Sequence, residues 1–167
     1  MGTQPCPCGY HNHPEKDCVC GPGIVKKYLN KISGPLMDRI DLHVEVTPVS
    51  VDQITSTTRA KEKSEDISER VIKARLVQAE RFKDQANMYC NAQMSSNMVK
   101  AVCQLDTKAL EILKKAMEKL QLSARAYDRI LKVARTGADL AGSENITFEH
   151  VAEAIQYRSL DREGWSD

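Results

Sequence analysis

Long apolar runs, aromatic side chains and an excess of one charge are all scarce in this 167-residue chain, of which aromatics make up 5%. No stretch approaches the roughly 18 consecutive apolar residues that a membrane span needs, so we expect no membrane insertion. The 24 lysines and arginines nearly balance the 23 acidic residues, which excludes the strong cationic excess typical of a dedicated nucleic-acid-binding domain. The first residues lack the basic and apolar segments of a secretory signal, so we expect a cytoplasmic protein.

A phosphate-binding loop of the form G-x-x-x-x-G-K-[ST] is also missing from the sequence. The same is true of an apolar run ending in acidic residues that would hold Mg²⁺. These two elements bind the phosphates and the metal ion in P-loop ATPases. The chain alone is therefore not expected to hydrolyse ATP.

Cysteine, in contrast, is concentrated near the start of the chain, in a loop rich in proline and glycine. Two C-x-C pairs lie nine residues apart there. Without a secretory signal, paired cysteines bind metal more often than they form disulfides, and four thiolates suit tetrahedral zinc. However, the spacing differs from the C-x₂-C of zinc ribbons, and His11 and His13 in the same loop could replace one ligand. A structural zinc site and free thiols in a flexible loop both stay open. The zinc ligands would be Cys6, Cys8, Cys18 and Cys20.

Apolar alternation predicts one β-strand, over residues 40–46, after the turn at Ser33-Gly34-Pro35. Ile40, Leu42, Val44 and Val46 alternate with polar residues, which is typical of a half-buried strand. No other stretch of the sequence alternates as convincingly, and a strand needs neighbours to satisfy its backbone groups. We therefore expect residues 1–60 to be less ordered than the rest of the chain.

From Ser64 onward the apolar period changes to that of helices. This change divides the chain near residue 60, after a short helix over 24–32 and within a polar linker over 47–63. We expect the side chains of Ile67, Val71, Val77 and Phe148 to face the core of a helical bundle. Five helices are predicted: one from Ser64 towards Phe82, one after Ser95 or Ser96, and three capped by Asp106, Ser123 and Thr147.

Two arginines lie at unusual positions. Arg39 follows a turn between Asp38 and Asp41, where a surface ion pair is the plain interpretation. Arg125 lies in the first turn of the helix capped by Ser123, where the helix dipole disfavours a cation by roughly 0.3–1 kcal/mol. Such a helix start attracts an anion, and phosphate is the natural candidate; extension of the side chain into water is the alternative.

Further cations continue along the same predicted helix. Arg129 and Lys132, with Arg135 adjacent, follow Arg125 on one edge. A stripe of this kind is usually a solvated face and sometimes a contact for a polyanion.

The segments "PCPCGY", "ISGPLMDRIDLHVEV", "LSARAYDRILKVARTGADLAGSENI" and "HVAEAIQYRSLDR" span nearly the whole chain. They resemble the C-terminal part of magnesium-chelatase-like AAA+ ATPases, specifically the competence-related ComM/YifB branch. The resemblance implies a mainly α fold in which residues 61–167 form a helical-bundle AAA+ lid domain. Residues 1–60 would be the remnant of an incomplete α/β ATPase core, with a cysteine-containing loop and a lone β-strand, the last of a sheet whose other strands lie outside this sequence.

The resemblance also implies roles for individual residues. Arg39, in "LMDRID", matches the arginine finger, which is supplied to the ATP of the neighbouring subunit. Arg125, in "LSAR", matches the sensor-2 arginine, which reaches from the lid towards the γ-phosphate of its own subunit. Gln4 stands where related sequences tend to carry the sensor-1 asparagine.

Cofactors and partners follow from the same resemblance. They are ATP and Mg²⁺, identical subunits in a ring, and DNA handled during recombination and natural transformation. This chain in isolation would be an inactive monomer.

Two other hypotheses remain open. The chain could be a self-contained zinc-knuckle and helical module that binds nucleic acid or protein through the cysteine loop and the edge around Arg129 and Lys132. That hypothesis predicts stoichiometric zinc and salt-dependent DNA binding. Alternatively, it could be a helical interaction domain without a ligand, in which Arg39 and Arg125 are replaceable without consequence.

Overall fold

The computed structural model describes residues 2–46, 48–49, 51–55 and 62–158. Helices dominate these ranges, which confirms the prediction of a mainly α fold. The β-structure of the described residues is limited to one isolated parallel bridge, between Leu105 and Ile146. None of the helices in these ranges has both the length and the apolar character of a membrane span.

The N-terminal region contains short helices. They are α1 (Pro22–Leu29), α2 (Gly34–Met37) and α3 (Val51–Thr55). Prolines in the first turns of α1 and α2 favour these starts, because their fixed φ suits a helix and the missing N–H would have no partner there. The linker predicted over 47–63 therefore contains one helical turn, and its positions 47, 50 and 56–61 lie outside the described residues.

The C-terminal region contains the longer helices at the predicted places. They are α4 (Ser64–Arg81), α5 (Ser96–Val102), α6 (Thr107–Lys119), α7 (Ala124–Leu140) and α8 (Phe148–Gln156), with a 3₁₀ turn over Asn91–Gln93 between α4 and α5.

Side-chain caps fix where several of these helices begin, including α6 and α7. The Asp106 carboxylate accepts a hydrogen bond from the backbone N–H of Ala109 at 2.7 Å, and the Ser123 hydroxyl accepts one from that of Ala126 at 3.2 Å. After the end of α7, Gly142 has a φ of +67°, a conformation that favours glycine. The caps predicted at Asp106 and Ser123 are thus confirmed.

Helices α6, α7 and α8 pack on one another, and α4 and α5 contact α7. The apolar core lies between them and is closed by the parallel bridge, which joins the residues preceding α6 and α8. Its largest fully buried apolar side chains are Phe82, Leu113, Ile130, Leu131, Ile146, Val99 and Val151.

A buried polar network complements this core. Arg81, at the end of α4, donates two hydrogen bonds to the carboxylate of Asp139 on α7, at 2.8 and 2.5 Å. The same carboxylate accepts from Asn91 at 2.7 Å and from Nε of Arg135 at 3.1 Å. Because the side chain of Asp139 is fully buried, these donors compensate for the loss of its hydration.

Some side chains face differently from the predicted pattern. Ile67, Val71 and Val77 of α4 are exposed, because α4 packs against the bundle only through a narrow strip that includes Ala74 and Gln78. Phe148, the first residue of α8, is 42% exposed. The predictions that these apolar side chains face the core were wrong.

The strand predicted over residues 40–46 is not formed in the described structure. Leu42, Val44 and Val46, predicted to lie on the buried side, are exposed, whereas His43 is buried. The backbone N–H of His43 donates to the carbonyl of Tyr157, which follows α8, at 2.7 Å. The described residues offer no neighbouring strand, so this segment lies against helices instead.

Candidate functional site

Residues 38–43, called here the Arg39 segment, connect the N-terminal region to the start of α7. The hydroxyl of Ser123, the cap of α7, donates to Oδ2 of Asp38 at 3.3 Å while accepting from the first turn of its own helix. Asp41, in the same segment, forms an ion pair with Arg129 of α7. Arg39 and Arg125 therefore lie close in sequence to a direct contact between the Arg39 segment and α7.

Arg39 is exposed directly after α2, and its Nη1 donates to the carbonyl of Pro35 at 3.1 Å. The carboxylates on either side bind other groups: Asp38 contacts Ser123, and Asp41 contacts Arg129. The surface ion pair considered for Arg39 is not formed among the described residues. Its charge is thus available to an external anion.

Arg125 is exposed in the first turn of α7. Asp128, one turn further along the helix, accepts a hydrogen bond from the hydroxyl of Ser96 at 2.5 Å. Within the described part of the chain, no carboxylate forms an ion pair with Arg125. A cation at a helix N-terminus without an ion-pair partner is electrostatically unfavourable, and a bound anion would relieve this.

The remaining cations of the predicted edge make contacts within the chain. Arg129 pairs with Asp41, and Nζ of Lys132 donates to the carbonyl of Ala92 at 3.0 Å. Arg135 is buried rather than solvated, and its guanidinium donates to the carbonyls of Ser143 and Glu144, both at 2.7 Å. The predicted continuous exposed stripe was wrong at Arg135.

The four cysteines of the N-terminal loop converge. Their sulfur atoms all lie within 4.8 Å of one another, and all four are free thiols. The Sγ–Sγ distances are 3.3 Å for Cys6–Cys8, 3.7 Å for Cys6–Cys18 and 3.5 Å for Cys8–Cys18. Zinc–sulfur bonds of about 2.3 Å in a tetrahedron place sulfurs about 3.8 Å apart, which is near the three distances given, so the four residues are suited to hold a zinc ion.

Local backbone geometry produces this convergence. The N–H of Gly9 donates to the carbonyl of Cys6 at 3.0 Å, which closes a tight turn, and Gly9 has a φ of +80°. Helix α1 begins just after the second pair, and its Val25 and Leu29 pack with the buried side chain of Cys6. Nδ1 of His13 accepts from two loop amides at 3.1 Å and therefore stabilises the turn.

The thiols differ in acidity. A backbone hydrogen bond at Tyr10, together with contacts from neighbouring sulfurs, lowers the pKa of Cys8 to about 6. A backbone hydrogen bond at Cys20 favours the Cys18 thiolate, but burial and the adjacent sulfurs outweigh it and raise the pKa of Cys18 to about 12. Negative charge thus accumulates unfavourably in the cluster, and a divalent cation would neutralise it.

Sequence patterns identify the four cysteines and the two arginines. They do not predict the contact between the Arg39 segment and the start of α7. Ser123 was predicted as a helix cap, and its second hydrogen bond, to Asp38, joins residues 85 positions apart. Gln4, noted for the sensor-1 position, is exposed beside the cysteine loop, with its side chain near Gly9.

Comparison with known families gives two matches. A family described as "Magnesium chelatase, subunit ChlI C-terminal" matches residues 61–158, and one described as "Magnesium chelatase, subunit ChlI" matches residues 1–54.

Curated relatives are similar along most of this chain. The competence protein ComM of Haemophilus influenzae is 41% identical over 141 residues, covering 84% of this chain and 27% of ComM. The uncharacterized protein YifB of Escherichia coli is 36% identical over 158 residues, covering 95% of this chain and 30% of YifB. An uncharacterized protein of Mycobacterium bovis is 31% identical over 158 residues, covering 95% and 30%. The chain thus spans less than a third of the length of these relatives.

Proposed function

We propose that this chain, which belongs to the magnesium chelatase ChlI family and within it to the ComM/YifB branch, provides two arginines for ATP hydrolysis in a ring of identical AAA+ subunits. Arg39 would act as the arginine finger on the ATP of the adjacent subunit. Arg125 would contact the γ-phosphate of ATP bound to its own subunit, as sensor 2. ATP and Mg²⁺ would be bound mainly by a phosphate-binding loop that this sequence does not contain.

The contact between Asp38 and Ser123 is the observation that carries this proposal. It brings the Arg39 segment to the N-terminus of α7, where backbone N–H groups and the helix dipole favour negative charge. Arg39 and Arg125 are exposed on the two different elements that this contact joins, while the carboxylates near them in sequence bind other side chains. Phosphoryl transfer needs such cations, because they stabilise the charge that develops on the transferred phosphate.

We further propose DNA as the partner of the ring, and cytoplasm as its location. One relative carries the name competence protein, which suggests a role in natural transformation. The cations of α7 give this chain little DNA-binding surface of its own, since Lys132 and Arg135 bond to backbone carbonyls and Arg129 is paired with Asp41. Contact with DNA would therefore fall to other surfaces of the ring.

We propose a structural zinc ion for the cysteine cluster. The Sγ–Sγ distances and the absence of a disulfide among the four cysteines support four thiolate ligands. With no open coordination position, the ion would stabilise the loop and take no part in hydrolysis. The alternative function, a self-contained zinc module that binds nucleic acid or protein, shares this site and would be favoured by DNA binding of this chain alone.

Replacement of Arg39 tests the proposed function. In the full-length protein, in which these residues accompany a phosphate-binding loop, Arg39→Ala should reduce kcat for ATP hydrolysis by roughly 10³-fold or more while nucleotide binding is retained. Arg75→Ala is the matched control, because Arg75 is an exposed arginine of α4. Turnover by Arg39→Ala at the rate of the control would rule out the finger.

A further inference from the structure

Arg158, two residues after the end of α8, is buried with a relative exposure of 0%. It is the largest of the fully buried side chains in the described part of the chain. Arginine is almost never fully buried unless it is paired, because removing its charge from water is costly. The contacts of Arg158 must therefore compensate for that cost, and they indicate what the side chain does.

Within the described part of the chain, Arg158 contacts residues on both sides of Arg39. Nη1 of Arg158 donates to the backbone carbonyl of Ile40, and Nη2 lies 3.9 Å from Oδ1 of Asp38. The preceding residue, Tyr157, accepts the backbone hydrogen bond of His43 at 2.7 Å. The C-terminal end of α8 thus contacts the side chain that precedes Arg39 and the backbone that follows it.

The start of α7 binds the opposite side of the same segment. Ser123 donates to Asp38, whose two carboxylate oxygens are thereby divided between α7 and Arg158. Arg129 of α7 pairs with Asp41. Among the described residues, the side chain of Arg39 forms no hydrogen bond or ion pair with α7 or α8, so its guanidinium extends from a segment that is fixed at several points.

We propose that Arg158 is a positioning residue for Arg39. Its guanidinium donates to the carbonyl of Ile40 and lies at ion-pair distance from the carboxylate of Asp38, which fixes the Arg39 segment relative to α7 and α8. A shift of about 1 Å in a charge that acts on a transition state can cost on the order of 10²-fold in rate, so this fixation affects turnover. The inference rests on the proposed role of Arg39, and its experiment separates the two.

Hydrogen exchange of this chain tests the contact without reference to ATP. Arg158→Met removes the charge and retains most of the side-chain volume. We expect the amide of His43 to exchange at least about tenfold faster, while amides in the middle of α6 keep their protection. Arg75→Met, the same change at an exposed position of α4, should leave both unchanged. An unchanged exchange rate at His43 in Arg158→Met would overturn the contact.

Kinetics of the full-length protein tests the consequence. Arg158→Met should lower kcat for ATP by about 10²-fold with KM changed less than about twofold, because nucleotide binding does not involve this residue. Arg158→Lys, which keeps the charge but not the planar fork, should recover part of kcat. A purely structural role would instead reduce protection throughout the chain and would not separate kcat from KM.

The outcomes distinguish the inference from the proposed function. If Arg39→Ala abolishes turnover and Arg158→Met does not reduce it, the inference is wrong and the finger stands. If Arg39→Ala is harmless, the proposed function is wrong and so is the role of Arg158 in it. If Arg158→Met loses hydrogen-exchange protection throughout the chain, the variant Asp38→Asn provides the test instead. A lower kcat of Asp38→Asn with α6 still protected would support the inference. A wild-type kcat of this variant would overturn it.

Discussion

The helical region, residues 62–158, and the N-terminal region, residues 2–46, are stabilised in different ways. The helical region has a continuous apolar core shared by α5, α6, α7 and α8. The N-terminal region has only a small cluster in which Cys6, Val25 and Leu29 pack beside the other thiols. Burial of so few apolar groups cannot offset the conformational entropy of ordering forty residues or so.

The difference shows what the N-terminal region depends on. One end is organised by four sulfurs, and the other by polar contacts from Ser123, Arg129 and Arg158 to the Arg39 segment. Its order would therefore come from the proposed zinc ion and from the contacts with the helices rather than from its own core. Dependence on contacts with the helices is consistent with the proposed role of this segment, in which the exposed Arg39 acts on the ATP of another subunit.

Loss of the metal should produce the largest difference in hydrogen-exchange protection between the two regions. Zinc bound to the wild-type chain, expected at one ion per molecule, should be lost in Cys6→Ser. Hydrogen-exchange protection over α1 should then disappear, because apparent zinc affinities of about 10–16 kcal/mol exceed what Val25 and Leu29 supply. Protection in α6 and α7 should remain.

Cys90→Ser is the matched control for this experiment, because Cys90 lies outside the cluster and its thiol bonds to Gln93. It should keep the zinc and the protection of α1. If chelation removes zinc and α1 nevertheless stays protected, the metal does not organise the N-terminal region.

Removal of Asp139 should damage the helical region instead. Asp139→Ala leaves Arg81 and Arg135 without their shared carboxylate, and breaking such a buried pair costs about 3–5 kcal/mol. The free energy of unfolding, from urea titration, measures this loss. Glu80→Ala, which breaks only an exposed pair with Lys83, should cost less than about 1 kcal/mol. Equal losses in both variants would contradict the importance of the network.

These two regions also differ in how far the sequence predicts them. The starts of α5 to α8 could be predicted from local caps such as Asp106 and Ser123, because a cap and an apolar period are encoded within a few residues. The cysteine cluster could be predicted for the same reason. The exposed face of α4 could not, because the pattern of Ile67 and Val71 specifies an apolar face but not what covers it.

Long-range contacts account for the rest of what sequence reasoning missed. The strand over residues 40–46 had a convincing pattern, but a strand forms only with a partner, and the described residues supply none. The contacts of Arg158 with Asp38 and Ile40 join residues about 120 positions apart, and no local pattern marks them. The burial of Arg135 could not be predicted, because the carbonyls that accept its hydrogen bonds, those of Ser143 and Glu144, lie beyond the end of its helix.

Low pH should destabilise the helical region, because it protonates the carboxylate of Asp139. Burial would raise the pKa of Asp139, but hydrogen bonds from Arg81 and Asn91 and the nearby arginine charges outweigh it and hold the pKa below its usual value. Asp139 therefore stabilises the fold above the ordinary aspartate pKa of about 4, and this contribution is lost as the pH falls through its lower folded-state pKa.

Each unit of difference between the folded and unfolded pKa corresponds to about 1.4 kcal/mol. The wild-type chain should lose stability between neutral pH and pH 3 more steeply than Asp139→Ala, as measured by urea titrations at several pH values. Parallel pH profiles for the two proteins would show that Asp139 does not contribute in this way.

A mixing experiment tests most directly whether Arg39 and Arg125 serve two different nucleotides. Full-length Arg39→Ala and Arg125→Ala subunits should each be inactive alone. In rings assembled from equal amounts of both, about a quarter of the interfaces would combine an intact Arg125 with an intact Arg39 from the neighbour. We predict that ATP hydrolysis partly recovers on mixing. No recovery, with mixed rings confirmed by mass, would contradict action of Arg39 across the subunit interface.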